Sequence, residues 1–364
     1  MKIAFYSPLK PPGHPVPSGD RLMARLLIQA LTLAGYDVEI ASEFRSFMTA
    51  ASNSDLAERR QAAKAEVARL KAKWTSGGKP DLWFCYHPYY KAPDLLGPAL
   101  CQHFGLPYVT AEASYSLRRN EGAWVFSQEA VLSAVQMAAV NLCFTGRDER
   151  GLRAVAPQGR FERLPAFIDP APFLVHEPRP EPFRLITVAM MRPGDKLDSY
   201  RTLAESLRLL QHLPWTLDVI GDGPARAEVE VAFGFLTPER IRWHGVKTAD
   251  EIAELLSAAS LYVWPGHGEA YGLAYLEAQA AGLPVIAEET AGVPEVVVSG
   301  RTGLLMSAGD VSAYAAAIER LLTSGAERQA MAVEARRFAS NERSVDHAAI
   351  RLQDILARYI GASS

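Results

Sequence analysis

Two glutamates and a glycine mark the stretch of this chain richest in chemistry. Leu261-Tyr-Val-Trp-Pro-Gly-His-Gly-Glu-Ala-Tyr-Gly-Leu-Ala-Tyr-Leu-Glu-Ala-Gln-Ala-Ala-Gly-Leu-Pro-Val-Ile-Ala287 reads as strand, glycine-punctuated loop, helix, tight turn and strand. Gly272 stands where the helix opens. There Gly272 and Leu273 present unpaired backbone N–H groups, and the positive end of the helix dipole, to a phosphate. Glu269 precedes the helix and Glu277 lies about one and a half turns inside it. A carboxylate accepts hydrogen bonds in pairs, which suits vicinal hydroxyls. Two carboxylates flanking a phosphate-binding helix start match a ligand with hydroxyl pairs at both ends and phosphates between, the build of a nucleotide sugar. The same spacing also fits a solvated amphipathic helix with incidental glutamates.

Upstream, Val188-Ala-Met-Met-Arg-Pro-Gly-Asp-Lys196 is a strand running into a loop that carries Arg192 and Lys196. Two cations at the carboxyl end of a strand can neutralise charge growing on a departing diphosphate. Left without a ligand they are ordinary solvated side chains. The chain has no Asp-x-Asp pair, a common way of holding a divalent ion on a diphosphate, so metal-independent chemistry is expected.

These residues need strands to position them. Short β-rich apolar runs alternate with segments of helical period, the pattern of parallel strands joined by crossover helices. The first half offers strands near residues 2–7, 37–41, 82–85, 108–110 and 140–145, with helices near 21–34 and 127–138. The second half offers strands near 183–190, 216–220, 241–244, 261–264 and 285–287. Five strands in each half suffice for a sheet apiece. The proline-dense stretch from Pro165-Ala-Phe-Ile-Asp169 to Glu177-Pro-Arg-Pro-Glu-Pro182 continues neither a helix nor a central strand, which places a boundary near residue 175. Parallel sheets bind ligands at the carboxyl ends of their strands, here across a cleft between two α/β domains.

Composition narrows the function. The 364 residues predict about two domains. With 38 Lys and Arg against 41 Asp and Glu, the net charge of −3 supplies no global field for nucleic acid. Cys85, Cys101 and Cys143 contain no Cys-x-x-Cys pair, so neither a disulfide framework nor a zinc site is indicated and a reducing compartment fits. No apolar run is long enough for a signal peptide or a membrane span. A cytoplasmic protein is expected.

The Glu269 to Glu277 stretch, with Gly272 between and Ala278 to Gly282-Leu-Pro-Val285 after it, resembles the Glu-x7-Glu region of family-four retaining glycosyltransferases of the GT-B fold. The resemblance continues through Leu217-Asp-Val-Ile-Gly-Asp-Gly-Pro224, Trp243-His-Gly245, Glu289-Thr-Ala-Gly-Val-Pro-Glu295 and Gly300-x-x-Gly303, a joint pattern far more specific than any one motif. It implies two Rossmann-like domains with parallel sheets facing a central cleft. Residues 1–175 would bind the acceptor, joined by a closing helix within 346–364, and residues 176–345 would bind the donor. It further implies that Glu277 holds the ribose and that Arg192 and Lys196, with the N–H groups of Gly272 and Leu273, hold the diphosphate. Glu269 would hold the sugar, and backbone groups about Gly245 and Val246 the base. No cofactor beyond the sugar nucleotide is implied, and the acceptor would be a glycan or a lipid-linked precursor.

The first half matches less closely. Ser18-Gly19-Asp20 stands where the family often has Gly-Gly: Gly19 allows close backbone approach and Asp20 is read as the cap of the following helix. Where many members have a histidine after the fourth strand, this chain has Glu112, the candidate substitute, with His87 of Tyr86-His-Pro-Tyr-Tyr90 competing for the role. Pro165-Ala-Phe-Ile-Asp169 lacks the Asn and Gly usual at that turn, and Ala270 and Tyr271 replace the common Gly and Phe.

Residues 56–74 put Leu56, Ala63, Val67, Leu70 and Trp74 on one helical face, while from Arg59 to Lys73 six cations stand against the single Glu66 on the rest. That face either packs on its own domain or lies among anionic lipid headgroups at the cytoplasmic face of the membrane. The expected activity is transfer of a hexosyl unit from a nucleotide-diphosphate sugar with retention. The alternatives are a nucleotide-sugar-binding module without catalysis and a GT-B epimerase or phosphorylase, although no lysine motif for a pyridoxal cofactor is recognisable.

Overall fold

The structure, a computed structural model, describes residues 1–16, 18–50, 52–122 and 124–361. It divides into two units, Met1–Pro165 with Val345–Ser364, and Ala166–Ser344.

In unit 1 the elements run β1 (Lys2–Tyr6), α1 (Gly19–Leu33), β2 (Asp37–Ser42), α2 (Asn53–Gly77), β3 (Leu82–Tyr86), α3 (Gly97–Phe104), β4 (Tyr108–Ala111), α4 (Trp124–Met137), β5 (Val140–Cys143), α5 (Gly146–Val155) and β6 (Phe161–Arg163). In unit 2 they run α6 (Ala171–Leu174), β7 (Arg184–Val188), α7 (Asp195–Arg208), β8 (Thr216–Ile220), α8 (Arg226–Ala232), β9 (Ile241–Gly245), α9 (Ala249–Ala258), β10 (Leu261–Val263), α10 (Leu273–Ala280), β11 (Val285–Glu288), β12 (Gly303–Met306), α11 (Val311–Thr323) and α12 (Gly325–Arg337). The last helix, α13 (Val345–Tyr359), returns to unit 1 and packs on α1. Residues 362–364, the end of the expected closing helix, lie outside the described residues.

Each unit holds one six-stranded sheet, in the order β2-β1-β3-β4-β5-β6 in unit 1 and β12-β11-β10-β7-β8-β9 in unit 2, and all its strand pairs are parallel. The sixth strand in each case, β6 or β12, was not expected. Both are short edge strands: Phe161-Glu-Arg163 is mostly polar and Gly303-Leu-Leu-Met306 has no β-branched residue, so neither carries a strand signal. Residues 166–175, read in the sequence as the end of the first domain, belong to unit 2. There the Ile168 N–H donates to Arg343 O at 2.9 Å.

Near-continuous apolar strands such as Leu82-Trp-Phe-Cys-Tyr86 are buried throughout, as a parallel sheet covered on both faces requires. Leu56, Ala63, Leu70 and Trp74 of α2 are buried in unit 1, with the Trp74 ring 6.1 Å from that of Trp83 and 5.5 Å from that of Phe104. The apolar face of α2 is thus closed against its own sheet, the first of the two arrangements expected for it. Part of its charge is also paired: Arg69 with Glu66 at 2.7 Å, and Lys73 with Glu39. Among the described residues no helix is long and apolar enough to cross a membrane.

Candidate active site

The loop between β10 and α10 builds the centre of the candidate site in unit 2. Its path needs glycine at two places. At Gly268 (φ 66°) a Cβ would fall 2.1 Å from Asp195 Oδ2, so the loop presses onto the first residue of α7. Gly272 (φ 79°) is the N-cap of α10 and supplies no side-chain cap; the Tyr275 N–H turns back to Gly272 O at 3.1 Å, while the N–H groups of Gly272 and Leu273 have no acceptor among the described residues.

Lys196 is not in a loop, as the sequence reading had it, but in the first turn of α7 behind the N-cap Gly194. Its ammonium pairs with Glu269 Oε1, the oxygen that also accepts the Trp264 indole N–H at 3.0 Å. The same ammonium lies 5.4 Å from the centre of the Trp264 ring. The structure therefore joins a residue expected on the diphosphate to one expected on the sugar, through a tryptophan that sequence reasoning missed. Trp264 follows directly on β10, which was the available signal. Arg192 is exposed, and its guanidinium has no hydrogen bond or ion pair among the described residues.

Glu277 is half-buried in the second turn of α10, and no hydrogen bond or ion pair engages its carboxylate among the described residues. Burial pushes that carboxyl up to about 7, since removal from water disfavours the charged form. Gly245 ends β9 with φ 65°, its carbonyl already taken by the Gly221 N–H at 2.8 Å, and Val246 beyond it is exposed. Beside them a second network escaped the sequence reading. Asp218 on β8 is fully buried, accepting from Arg184 Nε at 2.6 Å and lying 2.6 Å from His244 Nε2. The register slips between Val219 and Ile220, leaving His244 as the unpaired residue of a bulge that turns it toward Asp218. A lone carboxylate within the apolar run Leu217-Asp-Val-Ile220 was the signal.

Unit 1 gathers its candidates at the carboxyl ends of β3 and β4. His87 and Glu112 follow these adjacent strands directly and both adopt left-handed backbone, φ 59° and 56°, a conformation costly for residues with a Cβ. Each is held by a sheet-like bond, His87 N–H to Ala111 O and Glu112 N–H to Leu142 O, both at 2.8 Å. The competing candidates thus stand side by side. His87 Nδ1 lies 3.3 Å from Asp20 Oδ1. Asp20 is not the helix cap: Ser18 is, its hydroxyl accepting the Arg21 N–H at 3.2 Å, which frees the aspartate for the imidazole. Burial lowers the proton affinity of His87, but the charge of Glu112 and the bond to Asp20 outweigh it and raise the imidazole to about 9. Gly19 is exposed at the start of α1, with open space where a side chain would project.

Residues 182–324 match the family described as Glycosyl transferases group 1. D-inositol 3-phosphate glycosyltransferase of Corynebacterium diphtheriae is 37% identical over 102 residues, 28% of this chain and 24% of that relative. The match thus spans about a quarter of the relative's length. Among solved structures, sucrose-phosphate synthase from Thermosynechococcus elongatus superposes with a TM-score of 0.76 at 21% identity, covering 100% of both chains. Anabaena HepE, in complex with UDP-glucose, superposes with a TM-score of 0.69 at 14% identity, covering 98% of this chain and 100% of its own. These likenesses fix the fold, and the chain carries a group 1 glycosyltransferase domain over residues 182–324 within a GT-B architecture.

Proposed function

We propose that the chain transfers a hexosyl unit, with retention, from a nucleoside-diphosphate sugar to a hydroxyl of a glycan, glycolipid or polysaccharide precursor. The observation that carries this reading is the convergence on one loop of Glu269, Lys196 and the uncapped start of α10. In this assignment the N–H groups of Gly272 and Leu273 and the cations of Lys196 and Arg192 take the diphosphate. Glu269 takes sugar hydroxyls, Glu277 the ribose, and backbone at Gly245 and Val246 the base. A structure of this fold holding UDP-glucose supports a sugar nucleotide as the donor.

Retention follows a same-face route. The bond from the anomeric carbon to the phosphate oxygen breaks, the bond to the acceptor oxygen forms on the same face, and the acceptor's proton passes to the leaving phosphate. That route requires no base from the enzyme. The chain's own cations stabilise the leaving group, so neither a metal nor a further cofactor is assigned. The acceptor is assigned to unit 1 through His87, Glu112 and Gly19, and the setting to the cytoplasm.

The test is incubation with a panel of sugar nucleotides and acceptors, with and without magnesium, following nucleoside-diphosphate release and the anomeric configuration of the product by NMR. Magnesium-independent transfer with retained configuration is expected. Nucleotide binding with neither hydrolysis nor transfer would instead identify a non-catalytic binding module.

A further inference from the structure

A second pair, unused so far, fastens the loop that bears Glu269. Glu288 ends β11 and is 1% exposed. Its Oε1 accepts the Gly309 N–H at 3.0 Å, and its Oε2 lies 3.0 Å from His267 Nε2. Among the described residues the His267 imidazole is the one basic side chain within ion-pair distance of this carboxylate. A buried carboxylate with no basic or donor group beside it is strongly disfavoured; Oε2 makes no regular hydrogen bond among the described residues, and the imidazole is the basic group set against it.

His267 is two residues before Glu269, and its own backbone and ring are both tied to α7. Its N–H donates to Ser199 Oγ at 2.9 Å, and its Nε2 lies 3.4 Å from Thr202 Oγ1. Ser199 Oγ in turn donates to Asp195 O at 2.8 Å, one residue before Lys196. β11, the loop and the first turns of α7 are thereby brought together at one residue, His267, through its ring and its backbone N–H.

We propose that His267 and Glu288 are positioning residues for the donor: as a pair they hold the Glu269 loop on α7, so that the Lys196 ammonium and the open N–H groups of Gly272 and Leu273 keep a fixed spacing for the two phosphates. The purpose of the clamp rests on the donor reading above, but its existence does not. Neither residue touches the donor in this assignment. Their effect runs through Glu269 and Lys196.

The test compares the wild type with His267→Ala, His267→Gln, Glu288→Gln and the double variant His267→Ala/Glu288→Gln. Glu288→Gln keeps the acceptor for Gly309 and removes the buried charge, so it folds even where His267→Ala does not. Amide hydrogen exchange without ligand should run about tenfold faster over residues 265–272 in His267→Ala and Glu288→Gln, with β7 and β8 unchanged. UDP, GDP or ADP, whichever the wild type binds, should bind about tenfold more weakly in each, no worse in the double variant than in either single one. His267→Gln, which retains a donor, should recover part of the loss. Unchanged exchange at 265–272, acceleration spread evenly over unit 2, or unaltered nucleotide affinity would overturn the proposal. A wild type that binds none of these nucleotides overturns the donor reading and the clamp's purpose with it, while the exchange measurement still decides whether the clamp exists.

Discussion

Lys196 and Glu269 neutralise one another, the ammonium resting on the carboxylate oxygen that also takes the Trp264 indole hydrogen. A donor entering this loop must therefore compete for both. The two side chains are 24% and 17% exposed, and ion pairs that water still reaches contribute only about 0–1 kcal/mol. Lys196→Ala should leave the unfolding temperature nearly unchanged while turnover falls about 10²- to 10³-fold, the effect of removing one group that meets developing charge. Steady-state kinetics beside a thermal melt would separate the two. A melt that drops while kcat holds would make the pair structural.

Glu277 should give nucleotide binding a pH dependence. Its carboxyl is raised to about 7 by burial, so the native chain holds a proton that the unfolded chain has released. The resulting stability is present at acid pH, below the unfolded value, and is lost as pH rises through about 7. Ribose hydroxyls need the ionised acceptor. Nucleoside-diphosphate affinity should therefore rise with pH, being about tenfold weaker one unit below the carboxyl's midpoint than on the alkaline plateau. Calorimetry from pH 5.5 to 8.5 should show that slope in the wild type and none in Glu277→Gln. Equal slopes would remove the carboxylate from the binding step.

Gly272→Ala should damage the loop directly. The position has φ 79°, and a Cβ would sit 2.7 Å from the Tyr275 ring. Left-handed backbone at a residue with a Cβ costs on the order of 1–3 kcal/mol. Denaturant unfolding should show a loss of that order, with nucleotide affinity falling in the same variant. Unchanged affinity at reduced stability would mean that the start of α10 does not meet the ligand.

In unit 1 the expected observable is the titration of His87. Its imidazole stands at about 9 because Glu112 and Asp20 together outweigh the effect of burial, so it is cationic at neutral pH. The folded value lies above the unfolded one, so the pair's stabilisation is full below about 6.5 and is lost as pH rises through about 9. Glu112→Gln should lower the midpoint read by NMR from the imidazole carbon-bound protons and weaken acceptor use without touching nucleotide affinity. A midpoint that does not move would separate the two residues.

Most strands were legible because a parallel sheet buried on both faces writes itself as short apolar runs. The two edge strands, β6 and β12, were not, being short and without β-branched residues. Motif order brought out Glu269, Gly272, Glu277, Arg192 and Lys196 as candidates, since each lies at a strand end or helix start with a local signature. The pairings were hidden. Lys196 with Glu269, His267 with Glu288, Asp218 with His244 and Asp20 with His87 all join residues distant in the chain, and nothing in a single sequence records which strand ends become neighbours. The Asp20 reading failed for a related reason. Ser18 and Asp20 are both competent caps by type, and the position of His87 decides which is drawn away.

The central claim is that the α10 start and Glu277 hold a nucleoside diphosphate. Thermal unfolding of the wild type and Glu277→Ala with UDP, GDP, ADP and dTDP, each with and without magnesium, tests it most directly. One nucleotide at 100 times its dissociation constant should add about 2.7 kcal/mol to native stability, independently of magnesium, with the shift lost in the variant. If none of the four shifts the wild type, or if the shift survives intact in Glu277→Ala, the donor site is wrongly assigned.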